Sequence, residues 1–119
     1  MERPTLESTR IADPVKEQVA AFHRDIVDEV STAVAKHPVV VVGMKQNPVV
    51  KKARKILKEE GVSYEYLEYG SYLSGWKQRL AIKLWAGFPT FPMVFMDGTL
   101  VGGAREIEKL RAEGKLKSH

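Results

Sequence analysis

The chain has 119 residues, enough for one domain with a substantial hydrophobic core. Its hydrophobic fraction of 44% and charged fraction of 29% are those of a globular protein, and its formal charge of +4 is mild. It contains no cysteine, which excludes disulfides, thiolate nucleophiles and any zinc or iron–sulfur centre held by its own thiolates.

Met1 to Glu7 lacks the apolar core of a signal peptide, and no apolar run approaches the ~20 residues of a membrane helix. A cytoplasmic protein with no membrane partner is the expectation. His23, His37 and His119 are scattered without ligand spacing, so no metal site is expected.

Met1 to Ala12 is polar and reads as a loose segment ahead of a single domain over residues 13–119. Asp13-Pro14 is a cap followed by proline at the first helical position. Val15, Val19, Phe22, Ile26, Val30, Ala33 and Val34 then mark one face at helical spacing, predicting one long amphipathic helix up to His37-Pro38. Val39 to Val42 is wholly apolar and β-branched, as in a strand covered on both faces.

Asn47-Pro48 repeats the cap-and-proline start for a helix running through Ala53, Ile56 and Leu57 to Gly61. The basic run Lys51, Lys52, Arg54 and Lys55 lies on it with no interleaved aromatic residue. It reads as a solvated helix face, and no nucleic-acid partner is expected. Val62 to Glu68 alternates and predicts a strand, and Ser74 is the predicted cap of a helix carrying Leu80, Ile82, Leu84 and Trp85 towards Gly87.

Pro89 and Pro92 restrict the backbone around Thr90 and Phe91. Met93 to Met96 is a short apolar strand, Asp97-Gly98 a hairpin turn, and Gly102-Gly103 permits a close approach before a final helix over Gly103 to Leu116. A strand, a crossover helix and a second strand make a right-handed unit with parallel strands. The closing hairpin completes a four-stranded mixed sheet flanked by helices.

Val39 to Leu57, Phe88-Pro89-Thr90-Phe91-Pro92 and Val94 to Gly103 together resemble the glutaredoxin family of thioredoxin-fold proteins. The later part looks like the Trp-Pro-Thr-x-Pro-Gln…Asn-Gly…Ile-Gly-Gly stretch of monothiol glutaredoxins. The resemblance implies a three-layer thioredoxin-like fold with an extra N-terminal helix. It also implies a cis peptide at Pro92 and a Phe91 backbone offered to a bound thiol peptide.

In that family a redox cysteine sits between the first strand and the next helix, in Cys-x-x-Cys or Cys-Gly-Phe-Ser. The four positions here are Asn47-Pro48-Val49-Val50, so Asn47 and Val50 stand where the cysteines would be. An amide cannot ionise, attack a disulfide or ligate iron. Asn47 has two readings, a helix cap or an amide donor to the sulfur of bound glutathione.

The resemblance implies glutathione as the ligand, with no cofactor required. Lys45, after a one-residue shift, and Lys83 or Arg79 are the candidates to face its glycyl carboxylate. Thr90, Phe91 and Pro92 supply backbone, and Gly102, Gly103, Ala104 and Arg105 form a carboxylate site at a helix N-terminus. Arg105 stands where the family carries an acid that accepts from the ligand ammonium, which suits a small anion or a partner's acidic group better. Three functions follow: a redox-inactive binder of glutathione, a thiol peptide or a partner; a transferase-like enzyme activating glutathione's thiol; or a protein–protein adaptor.

Overall fold

A computed structural model describes residues 22–71 and 73–116. In order these form α1 (Arg24–Lys36), β1 (Val39–Gly43), α2 (Pro48–Glu59), β2 (Glu65–Glu68), α3 (Trp76–Ala86), β3 (Met93–Met96), β4 (Thr99–Gly102) and α4 (Ala104–Ala112). The strands lie in the order β2-β1-β3-β4, with β1 parallel to β2 and antiparallel to β3, and β3 antiparallel to β4. The expected segment 1–12, the Asp13-Pro14 cap and the positions Val15 and Val19 lie outside the described residues.

Consecutive residues of a strand face opposite ways, and the four valines of β1 therefore feed two cores. Val40 and Val42 join Val30 of α1, Ile82 of α3, Met93 and Phe95. Val39 and Val41 join Ile56 and Leu57 of α2, Ile107 of α4, Val94 and Met96. α1 packs on α3 and α2 on α4, giving three layers around the sheet. All four valines are fully buried, each stabilising by roughly 1.5–3 kcal/mol on area grounds.

The elements differ from their sequence expectations mainly at the ends. Phe22 and His23, expected inside one uninterrupted helix, form a turn; His23 is left-handed at φ 44°, and α1 begins at Arg24. β2 begins at Glu65 rather than Val62, because the Val62 N–H closes α2 by donating to Leu57 O at 2.9 Å. Gly75, not Ser74, occupies the cap position of α3, and the Ser74 carbonyl is occupied by Arg79.

The last helix stops at Ala112 instead of reaching Leu116. Gly114 turns left-handed there, the Lys115 N–H returns to Leu110 O at 2.8 Å, and Leu116 folds back into the core. The basic run on α2 is solvated where it is lysine, with Lys52 paired to Glu108 of α4 at 2.9 Å. Arg54 instead lies 3.8 Å over the Tyr66 ring and donates to the Tyr64 hydroxyl at 3.1 Å.

Two tyrosines titrate late. Burial, with a hydrogen bond donated to Glu68 at 3.0 Å, pushes the Tyr66 phenol up to about 12. Burial and a hydrogen bond to Glu29 of α1 push Tyr69 up as well. Unfolded phenols ionise near pH ~10, so above that pH the unfolded chain loses protons that the folded chain keeps. Their contribution to stability is complete below pH ~10 and lost as pH rises towards ~12. Urea midpoints should fall across that window, and less steeply in Tyr66→Phe; a flat wild-type profile would count against this assignment.

Candidate functional site

The site begins where β1 ends. Gly43 leaves no room for a side chain: a Cβ there would lie 2.7 Å from Val50 Cγ1. Val50 is consequently packed into the core at 1% exposure, and the chain turns through Met44 to Gln46 into α2. Asn47 is extended, and its Oδ1 accepts from the Val49 N–H at 2.8 Å and the Val50 N–H at 3.1 Å. The Lys51 N–H goes to the Asn47 carbonyl at 3.1 Å, and Pro48 has no N–H. No backbone donor of the first turn of α2 is left for a ligand.

The facing wall is the segment before β3. The Phe91–Pro92 peptide is cis, and Phe91 is buried at 8% exposure. The third wall is the start of α4. Gly102 has φ 125°, and a Cβ there would run into the Glu106 side chain. Glu106 Oε1 accepts the Gly103 N–H at 3.0 Å. The close approach that the glycine pair permits is therefore made by the chain's own carboxylate.

Between these walls lies a groove of about 300 Å³, lined by Val49, Phe88, Thr90, Phe91, Pro92, Gly103, Ala104, Arg105 and Glu106. Two larger depressions, of about 500 and 510 Å³, run along α1 and α3. They are lined mostly by side chains of those helices, whereas the smaller groove joins an extended segment to a helix N-terminus whose first N–H groups lack intrahelical acceptors.

The groove thus brings together six of the residues expected from the sequence: Thr90, Phe91, Pro92, Gly103, Ala104 and Arg105. Gly102 lies directly beneath Glu106, and Asn47 sits half-buried as the cap beside Val49. Lys45 is exposed outside the lining, its N–H bonded to Gly70 O at 2.8 Å. Lys83 Nζ lies 5.7 Å from the Phe91 ring centroid.

Arg79 does something else. It is buried at 8% exposure, and its Nη1 donates to Tyr69 O at 3.0 Å and Ser74 O at 2.6 Å. It clamps the β2–α3 connection from inside and does not line the groove. A charged side chain in a helix next to a glycine-rich loop gives no warning of this in sequence.

Val49, Phe88 and Glu106 line the groove without having been expected there. Glu106 had a signal, since an acid three residues after a helix cap bonds back to the cap N–H. Val49 is the third of the four positions Asn47 to Val50 and lies in the first turn of α2, a place where exposure rather than residue type reveals a lining role.

Comparison with known proteins places this geometry. The Glutaredoxin family model matches residues 39–101, a span that includes both Asn47 to Val50 and Thr90 to Pro92. The chain belongs to the glutaredoxin family. A glutaredoxin-like protein of Dictyostelium discoideum is 47% identical over 108 residues, covering 91% of this chain and 88% of that protein. Glutaredoxin 1 of Rickettsia conorii is 32% identical over 80 residues, covering 67% and 78%.

Among solved structures, the buckwheat glutaredoxin–glutathione complex superposes with a TM-score of 0.70 at 24% identity, covering 85% of this chain and 88% of that one. It supports the thioredoxin-like fold with its mixed four-stranded sheet. An iron–sulfur cluster does not fit the residues of this glutaredoxin-family chain, because Asn47 offers no thiolate and the chain has no other.

The Asn47 cap is a stability element that can be removed by itself. Asn47→Ala should lower the unfolding free energy by about 1 kcal/mol, and Asn47→Asp should retain most of it by keeping an acceptor at the helix N-terminus. Chemical denaturation of the three proteins checks this, and equal midpoints would show that the cap carries no weight.

Proposed function

We propose that this glutaredoxin-family chain is a binding protein that holds glutathione or a thiol peptide in the groove beside Pro92, without thiol–disulfide exchange of its own. The observation that carries this reading is Asn47, standing at the nucleophile's position with its Oδ1 committed to two backbone amides. The groove keeps what backbone recognition needs. An extended segment at Phe91 is there to pair with a peptide, and the start of α4 is there to receive a carboxylate.

Glu106 alters the balance drawn from Arg105 alone. It lines the groove one residue further on, and a carboxylate that accepts one N–H retains acceptor capacity for a ligand ammonium. Glutathione enters this reading as a ligand rather than a resident cofactor, and the cytoplasm remains the expected location. A second reading, an adaptor, has its own support: Leu73, Trp76 and Leu84 are 96%, 60% and 61% exposed around α3. Exposed apolar side chains of that size suit a partner protein.

Amide shifts on titration with near-millimolar glutathione test the first reading. Shifts at Thr90, Phe91, Gly103 and Arg105 are expected; shifts confined to α3, or none, would favour the adaptor. A second arm restores the chemistry. Asn47→Cys should form a mixed disulfide with oxidised glutathione, visible as an adduct by mass spectrometry, while the wild type forms none. Failure of that variant to react would mean that the groove does not present glutathione to this position.

A further inference from the structure

The two ends of the groove differ in chemistry. At the α4 end, Arg105 and the first helical N–H groups suit a carboxylate, while Glu106 suits an ammonium. At the α2 end the backbone donors are already taken. Val49 N–H, Val50 N–H and Lys51 N–H are all bonded to Asn47, and Pro48 has none. A thiolate placed there would find no backbone N–H, and only the Asn47 side-chain amide is left as a donor from the start of α2.

What the α2 end does offer is apolar surface. Val49 is 46% exposed and shares the groove with Phe88, Phe91 and Pro92. We propose that the groove selects glutathione whose sulfur is capped as a thioether over the free thiol, an inference resting on the glutathione-binding reading above. The substituent on a capped sulfur adds apolar surface that a free thiol lacks. Its substituent removes the Val49 side chain from water, and its zwitterionic γ-glutamyl end lies towards Arg105 and Glu106.

The test is a calorimetric titration of the full chain with reduced glutathione, S-methylglutathione and S-hexylglutathione at neutral pH. The methyl conjugate is expected to bind about threefold tighter than reduced glutathione, and the hexyl conjugate about tenfold or more. Val49→Ser, a change at an exposed position, should reduce the hexyl-to-thiol affinity ratio several-fold. Reduced glutathione binding as tightly as the conjugates would overturn the selectivity and leave the binding reading intact. A ratio unmoved by Val49→Ser would overturn its assignment to this groove. No binding by any of the three would overturn the binding reading, and this inference with it.

Discussion

Four consecutive valines in β1 have no surface in solvent, and everything else is placed relative to them. A strand apolar on both faces must be covered on both, so two helices gather on each side and the sheet becomes the middle layer. The strand's end is then fixed in all directions. Val41 lies opposite Tyr66 on β2 and Val94 on β3, while Gly43 is closed down on Val50. Asn47 therefore starts α2 at a position set by core packing, and the cis segment before β3 meets it because β3 pairs with the same strand. The groove is a consequence of that pairing.

This explains why the architecture was readable from composition and spacing. Val39 to Val42 carried the signature of a central strand, and Asp97-Gly98 the signal of a tight hairpin; both turn residues adopt positive φ, 51° and 81°. The Asn47-Pro48 start and the Gly61 stop of α2 were equally legible, because each rests on local backbone chemistry acting within a few residues. The family's motif positions then located three walls of the groove.

What was not legible depends on contacts made at a distance. Arg79 looks like any helix cation in sequence, yet it is buried by the two carbonyls it serves, one of them ten residues away. The alternation of Val62 to Glu68 suggested a longer strand, but the Val62 N–H was already claimed by the end of α2. The final helix was extended to Leu116 by its periodicity; Gly114 interrupts it, and Leu116 is buried through a reversal that no periodicity expresses. Glu106 belongs between these cases, since its capping role has a sequence signature and its place in the groove follows from that role.

The asparagine at the start of α2 separates two properties that a cysteine would have joined. A helix N-terminus attracts negative charge through unpaired N–H groups, and in a thiol protein those groups favour a thiolate. Here a side-chain oxygen takes up two of those donors, so the helix gains a cap and those backbone N–H groups are no longer open to an anionic sulfur. The shape of the site does not depend on that exchange, because it is set by the cis segment, the glycine pair and the sheet. The chain has no cysteine, and in the binding role proposed above recognition falls to the backbone at Phe91, the charges at Arg105 and Glu106, and the apolar face of Val49. Those three features lie along one groove, and in that proposal they act on different parts of a ligand, so that the site distinguishes tripeptides that differ only at sulfur.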